Sequence, residues 1–285
     1  MVSLVSLVVF VKRQLTSEAP VVDLRVLRYR SLWAGCIVSA VIGMGLYGAM
    51  FAVPIFAQTV MGYTSQQTGM LMLPGALASA FAMPMMAMLL KHFDPRKLVA
   101  AGSIIVIGAL YTLSHLNPQT NEESLYFPLI VRGFGTVAMF LPMSMATFGG
   151  VPVKDVAAAT GLYNLTRQLG GSIGVAVLTT VLASREAFHR SVLVEKLGAS
   201  DLPTLERLHA LTSGFMAKGF DAEHARRQAL LVLDHGVDLQ AAVMSFADSF
   251  WLVAVVFLAT MPLLVLLGKG SRGTGAGAHL SLIHI

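Results

Sequence analysis

Six long apolar runs constrain this chain more than any other feature of its sequence. Each has about 20 residues, the length with which an α-helix crosses the hydrocarbon core of a bilayer while satisfying its own backbone N–H and C=O groups. Charged residues make up only 12% of the 285 residues, against about 25% in soluble domains. The runs are Leu32–Gln58, Thr68–Leu90, Leu98–Leu113, Leu125–Met145, Ala159–Ala183 and Phe246–Leu267. They predict an all-α integral membrane protein with six transmembrane helices.

The basic residues of the short loops orient the predicted spans. Five Lys or Arg precede the first span, three follow the second, one follows the fourth and two follow the sixth, whereas the loops Thr59–Gln67 and Ser114–Ser124 contain none. Because Lys and Arg accumulate in cytoplasmic loops, we expect both ends of the six-span unit in the cytoplasm. This distribution also accounts for the net charge of +5 without a nucleic-acid partner.

Changes in composition divide the chain into six segments. The first segment is apolar and is followed by Lys12 and Arg13, which is the reverse of a signal peptide. The predicted segments are the end of a truncated transmembrane helix (1–11), a cytoplasmic linker (12–31), five transmembrane helices (32–183), a periplasmic loop (184–245), the last transmembrane helix (246–267) and a cytoplasmic tail (268–285).

The long polar segment before the last span has helical periodicity. Apolar residues recur at helical spacing in Leu202–Ala217 and in Ala222–Val243, which predicts two amphipathic helices that rest on the membrane, pack on the spans or meet a partner. Asp248, at the start of the last span, is expected to cap that helix. The tail is Gly-rich, and its apolar end, His279–Ile285, is not expected to be native coding sequence.

Signatures of soluble enzymes are missing from the sequence. It has no H-E-x-x-H, no G-x-S-x-G, no phosphate-binding G-x-x-x-x-G-K-[ST] and no Cys/His spacing for a metal. We therefore predict no enzyme activity, no metal and no cofactor. A membrane-embedded enzyme would need clustered His, Asp or Glu, and the few ionisable residues of the spans argue against it.

Two arginines lie inside predicted spans, where a charge is costly. Arg167 is nine positions into the fifth span, between Asn164 and Gln168, and either extends to the cytoplasmic headgroups or faces a polar cavity. We favour the cavity. Arg132 in the fourth span lies nearer the outer boundary, where an interfacial anchor is the alternative to a functional role.

Glycine and methionine are frequent in the spans. Gly170, Gly171 and Gly174 follow Arg167, and glycines let helices approach closely and move past one another. The 16 methionines, many beside aromatic residues, supply adaptable apolar surface for lipid contact or for a promiscuous pocket.

Several motifs resemble one transporter family. They are Asp23-Leu-Arg25, Leu73-Pro-Gly-Ala-Leu-Ala-Ser79, Phe93-Asp-Pro-Arg96 and, above all, the segment from Gly161 to Val175. They resemble the carboxyl-terminal half of the fourteen-span drug:proton antiporters of the major facilitator superfamily, multidrug resistance protein B type. The resemblance implies a six-helix bundle that forms one half of the fold, with substrate bound between the halves. The amino-terminal half, with its proton-coupling carboxylate, would then be missing.

The resemblance also implies roles for individual residues. The first and fourth spans correspond to cavity-lining helices in that family, and Arg132 falls in a counterpart of an Arg-containing motif. The implied substrate-binding residues are Tyr47, Met50, Phe51, Phe134, Met139 and Phe140. The implied gating or motif residues are Arg132, Asn164, Arg167, Gln168, Gly170, Gly171 and Gly174.

The implied function is half of a proton-coupled efflux transporter for hydrophobic or cationic compounds. An exporter of one metabolite, an importer of the same superfamily and an inactive truncated product are the alternatives. The implied partners are the missing half, hydrophobic substrates, protons and the lipid bilayer, with a periplasmic adaptor and an outer-membrane channel. The implied location is a bacterial inner membrane.

Overall fold

The computed structural model describes residues 23–117, 120–197 and 202–264, which are all helix and connecting turns. Two short 3₁₀ helices, Leu24–Arg28 and Val153–Asp155, precede the first and fifth long helices. The α-helices are α1 (Arg30–Thr59), α2 (Ser65–Leu89), α3 (Pro95–Leu113), α4 (Glu122–Phe148), α5 (Val156–Lys196), α6 (Leu202–Ala217) and α7 (Ala222–Leu263). All except α6 are long and apolar enough to cross a membrane, so the described residues contain six candidate spans, the number predicted from the sequence.

Local sequence signals explain where several helices begin. Thr64 and Gln67 form a capping box at the start of α2, in which the Thr64 hydroxyl accepts from the Gln67 N–H and the Gln67 side chain accepts from the Thr64 N–H. Gly62 has a positive φ of 67°, which allows the tight turn between α1 and α2. Asp221 caps α7 by accepting from the backbone of His224 at 3.1 Å.

The fifth and last spans extend beyond the predicted ranges. Helix α5 has 41 residues and α7 has 42, so each is about 60 Å long at 1.5 Å per residue, roughly twice the thickness of the hydrocarbon core. Segment 184–245, predicted as a loop with separate amphipathic helices, therefore begins and ends as direct continuations of two spans. Asp248 lies in the interior of α7, and the predicted N-cap role for it is wrong.

Glycine residues set the close approach of α1 and α5. A Cβ atom at Gly170 would lie 2.1 Å from the Ala40 carbonyl oxygen, and one at Gly174 would lie 2.2 Å from that of Met44. In the reverse direction, a Cβ at Gly43 would lie 2.4 Å from the Arg167 carbonyl oxygen. The two backbones touch at three points over about two turns of α5, an approach that only glycine permits.

Helices α2, α3 and α4 also approach one another closely at glycine residues. Helix α4 packs against α2 where Gly133 meets the Gly75 carbonyl, and the Ser79 hydroxyl donates to the Gly133 carbonyl at 3.0 Å across this contact. Gly102 of α3 packs in the same way against Met139 of α4. Three phenylalanines, Phe56 of α1 and Phe250 and Phe257 of α7, are buried in the core of the bundle.

Helices α2 and α5 are the least covered of the spans. Only 22% of the most apolar stretch of each is buried, against 44–56% in the other four. Large apolar side chains at one-turn spacing, Leu165, Leu169, Ile173 and Val177, lie exposed along α5. These faces are suited to lipid or to a second helical bundle.

Four predictions fall outside the described residues. They are the truncated helix at residues 1–11, most of the linker at 12–31, the last three positions of the sixth span and the tail at 268–285.

Candidate functional site

An open cleft lies between α1 and α5 on the uncovered side of the bundle. Its volume is about 510 Å³, within the usual range for small-molecule sites. The lining side chains come from one face of each helix, because residues 47 and 51 are one turn apart, as are 168, 172 and 175. The lining residues are Tyr47, Phe51, Gln168, Gly171, Ser172 and Val175.

Aromatic rings of α1 form one wall of the cleft. Tyr47 packs on Gly171, where a Cβ atom would lie 2.5 Å from its ring. Phe51 and its neighbour Met50 are exposed on the same helix. Three of the predicted substrate-binding residues therefore lie at or beside the cleft.

The second wall is polar and belongs to α5. Gln168 and Ser172 are one turn apart, and the Ser172 hydroxyl donates to the Gln168 carbonyl at 3.1 Å. Gln168 was predicted as a motif residue, whereas Ser172 and Val175 were not singled out. Both could have been predicted from the sequence, since each lies on the helical face that begins at Gln168.

Arg167 stays inside the bundle. Its guanidinium carbon lies 4.4 Å from the centroid of the Phe140 ring on α4, and its Nε is buried without a hydrogen-bond partner among the described residues. The guanidinium of Arg167 therefore lies against α4. Phe140 is half-buried, and the guanidinium of Arg167 covers one face of its ring. If Phe140 binds substrate as predicted, only the rest of its ring surface is available for the contact.

Arg132 connects α4 to α1. Its Nη1 donates to the Ala49 carbonyl at 2.8 Å. This hydrogen bond joins the two helices at a point about ten residues from the start of α4. It places the guanidinium of Arg132 against the backbone of α1. Phe134, two residues further on, is half-buried.

Met139 does not contact the cleft. Its side chain is 1% exposed and lies between α4 and α3, where the Ser103 hydroxyl donates to its sulfur at 3.4 Å. Met139 is therefore not among the residues that line the cleft, because Gly102 and Ser103 pack against its side chain. Asn164 is half-buried on α5, one turn before Gln168.

Residues 23–117, 120–197 and 202–264 contain no group of three or more His, Cys, Asp or Glu that could hold a metal ion. The polar groups in the lining of the cleft are a phenol hydroxyl, an amide and a serine hydroxyl, from Tyr47, Gln168 and Ser172.

Comparison with known proteins identifies the family. The model of the Major Facilitator Superfamily matches residues 4–175, which is more than half of the chain. The chain belongs to the major facilitator superfamily. This confirms the resemblance seen in the motifs, and it places the chain among transporters rather than enzymes.

Two relatives in this superfamily match nearly the whole chain. The colistin resistance protein EmrB of Acinetobacter baumannii is 30% identical over 95% of the chain, and the multidrug export protein EmrB of Escherichia coli is 28% identical over 98% of it. The matches cover 52% and 53% of these relatives. The chain thus spans about half the length of the superfamily members it matches.

A solved structure confirms the fold class. The bacterial homologue of the human lysosomal transporter Spinster, in an inward-facing and occupied conformation, superposes with a TM-score of 0.61 at 15% identity. The match covers 94% of this chain and 55% of the Spinster homologue. The six spans are one half of a major facilitator superfamily fold.

Proposed function

We propose that this chain is one bundle of a proton-coupled drug efflux transporter that exports hydrophobic or cationic compounds. The observation that carries the proposal is the α1–α5 cleft, which is open on the side that the bundle leaves uncovered. Major facilitator transporters bind substrate between two bundles, and a cleft that a single bundle leaves open on one side fits that arrangement.

The composition of the cleft indicates the class of substrate. Tyr47 and Phe51 offer ring surface that binds apolar groups and, through the ring quadrupole, organic cations. Gln168 and Ser172 add a few polar contacts without a fixed charge. Such a lining suits compounds that share bulk and apolarity more than a particular functional group. One of the relatives, that of Escherichia coli, is named a multidrug export protein.

The missing partner in this proposal is a second six-helix bundle. The uncovered faces of α2 and α5 would pack against it, and the distribution of Lys and Arg in short loops would place the unit in a bacterial inner membrane with both ends cytoplasmic. The helices that extend from α5 and α7 would then project into the periplasm, where an adaptor and an outer-membrane channel could attach. Proton exchange would drive export.

The first test replaces rings of the cleft in the complete transporter. We expect Tyr47→Leu and Phe51→Leu to weaken export of apolar and cationic compounds about threefold to tenfold, the loss expected when an aromatic contact worth about 0.7–1.4 kcal/mol is removed. The measurement is efflux from drug-sensitive cells across a panel of neutral, cationic and anionic compounds.

Tyr111→Leu is the matched control. Tyr111 is an exposed tyrosine of a spanning helix, but it lies on α3 beside Trp251, away from the cleft. We expect this variant to export like the wild type. Equal losses in all three variants, or no loss in any, would contradict the assignment of the cleft, and export of a single metabolite would favour the dedicated-exporter alternative.

A further inference from the structure

Three arginines lie close together in the sequence where the chain enters α1. Arg25 and Arg28 belong to the 3₁₀ helix Leu24–Arg28, and Arg30 is the first residue of α1. All three side chains are exposed. Their positive charges are therefore concentrated at the end of a candidate membrane span, at the level where the headgroups of a bilayer begin.

Acidic side chains neutralise only part of this charge. Asp155 contacts Arg28 at 3.4 Å, and it also accepts from the Tyr29 hydroxyl at 2.7 Å. No residue of 23–117, 120–197 and 202–264 forms an ion pair with Arg30. The first turn of α1 contains no acidic residue either. The charge of Arg30 thus adds to the positive end of the helix dipole, and an external anion would offset both.

The 3₁₀ helix that carries two of the arginines is fixed on the bundle. Val26 is 2% exposed and belongs to the hydrophobic core. The hydrogen bond from Tyr29 to Asp155 joins this helix to the segment that precedes α5. Asp23 caps the helix by accepting from the Arg25 N–H at 3.0 Å. The arginines are therefore presented from an ordered surface, so binding a ligand there costs little ordering of the backbone.

An exposed apolar stripe continues from Arg30 along α1. Trp33 and Ile37 follow at one-turn spacing, and both are exposed. At 1.5 Å per residue they lie about 4.5 Å and 10.5 Å further along the helix than Arg30. Tryptophan is typical of the membrane–water interface, where its ring meets apolar groups and its N–H can bind a polar one. A cation, an indole and an apolar side chain thus follow one another from the headgroup level into the span.

We propose that Arg30 and Trp33, with Arg28 beside them, form a binding site for an anionic phospholipid. The guanidinium groups bind the phosphate, for which arginine has the matching donor geometry. The indole lies at the level of the glycerol backbone, and an acyl chain extends along Ile37. This site is independent of the proposed efflux function, since lipid surrounds the chain whatever compound it transports.

The apolar stripe favours a lipid over a soluble anion. Free phosphate would use the arginines but would leave Trp33 and Ile37 exposed, whereas a phospholipid covers the charges and the apolar side chains together. Juxtamembrane basic residues are attracted to anionic headgroups, and each strengthens the binding by about fivefold. A zwitterionic phospholipid offers the same acyl chains with no net charge, so preference for the anionic lipid measures the contribution of the arginines.

The first experiment titrates the complete protein in detergent with phosphatidylglycerol or with phosphatidylcholine and measures bound lipid by native mass spectrometry. We expect the tightest site to prefer phosphatidylglycerol at least about fivefold. Arg30→Gln should weaken the binding of phosphatidylglycerol by about fivefold and leave that of phosphatidylcholine unchanged. Arg30→Lys should keep most of the preference, because lysine retains the charge.

Arg226→Gln is the matched control. Arg226 is an exposed arginine of α7 that lies outside the predicted spans, and no described residue forms an ion pair with it. This variant should bind phosphatidylglycerol like the wild type. A wild-type protein without a preference, an unchanged preference in Arg30→Gln, or equal losses in Arg30→Gln and Arg226→Gln would overturn the proposal.

Fluorescence quenching locates the lipid. The complete protein is placed in phosphatidylcholine vesicles that contain brominated phosphatidylglycerol or brominated phosphatidylcholine, and comparison with Trp33→Phe gives the emission that belongs to Trp33. We expect brominated phosphatidylglycerol to quench this emission more strongly than brominated phosphatidylcholine, and Arg30→Gln to remove the difference. Trp251, the other tryptophan of the chain, is also exposed and serves as the control through Trp251→Phe. Equal quenching of Trp33 by the two lipids would overturn the proposal.

Soluble anions distinguish a lipid site from a phosphate site. Inorganic phosphate or glycerol phosphate, added to the titration at the concentration of the lipid, should not displace phosphatidylglycerol. Displacement would show that the arginines bind soluble phosphate and would overturn the assignment to lipid. None of these readouts measures export, so their failure leaves the proposed function intact, and a protein that exports no compound can still show the lipid site.

Discussion

Helix α5 is held by two different kinds of contact along its length. Inside the bundle it meets α1 through glycines, with backbone against backbone at Gly170 and Gly174 and no ion pair. Beyond the predicted span it meets α7 through ion pairs, those of Asp248 and those in which Arg190 binds Asp234 and Asp238. The same helix therefore changes its mode of association where its surroundings change.

The difference follows from the surroundings of each part. In hydrocarbon, apolar side chains gain little from meeting one another, so helices associate through close van der Waals contact, which small residues permit. In water, exposed ion pairs are weak and screened by salt, but they can form and break without rebuilding a packed interface. We infer that the inner contact provides most of the stability and that the outer contact provides adjustable positioning.

The largest effect is expected from a methyl group placed in the inner contact. A Cβ atom at Gly170 would lie 2.1 Å from a backbone oxygen of α1, which cannot move aside as a flexible side chain could. We expect Gly170→Ala to lower the free energy of unfolding by about 1–3 kcal/mol, the usual cost of overpacking. Thermal unfolding of the purified protein in detergent or nanodiscs measures it.

Gly161→Ala is a control on the same helix with the opposite expected sign. No atom lies within 4 Å of a Cβ built at Gly161. Because alanine has a higher helix propensity than glycine by about 1 kcal/mol, this variant should be equally or more stable than the wild type. Destabilisation of similar size in both variants would mean that glycine acts through helix flexibility, and the contrast between the inner and outer contacts would lose its basis.

An intermediate effect is expected from the cation–aromatic contact between Arg167 of α5 and Phe140 of α4. A double-mutant cycle with Arg167→Met and Phe140→Leu should give a coupling energy of about 0.5–2 kcal/mol, with the upper part of the range favoured by desolvation. The buried Nε without a partner implies that the ring supplies much of the stabilisation that the guanidinium receives. A coupling energy near zero would show that Arg167 interacts elsewhere, with substrate or with the second bundle.

The sequence predicted the spans but not the length of two helices. The apolar runs located all six spans because length and hydropathy are enough to define a membrane crossing. Val175–Leu197 and Val237–Met261 contain no Gly or Pro, so nothing in either stretch stops a helix at the membrane boundary. At the membrane boundary the surroundings of the helix change, but its backbone conformation does not. Asp248 resembled a helix cap because the sequence changes from polar to apolar at its position.

The candidate site was predictable in part. Tyr47, Phe51, Gln168 and Gly171 were identified from the sequence and line the cleft. Met139 does not line the cleft, because its face of α4, which it shares with Gly135 and Met143, packs inside the bundle. The sequence of a single helix does not reveal which neighbour each of its faces meets. The pairing of His189 with Asp248 required the structure, since 59 residues separate them in the chain.

The smallest effect is expected from the outermost ion pairs. Arg190 donates to Asp234 at 2.6 Å and to Asp238, and all three side chains are about half exposed. These contacts raise the pKa of Arg190, first through the Asp238 hydrogen bond, so the arginine stays charged and its pairing does not vary near neutral pH. We expect Arg190→Gln to leave the unfolding temperature within experimental error at physiological salt, with a small decrease only at low ionic strength.

Arg227→Gln, which removes an ion pair within one helix, is the control. A clear decrease for Arg190→Gln alone, persisting in high salt, would show that the outer contact also provides stability and would remove the division of roles along α5.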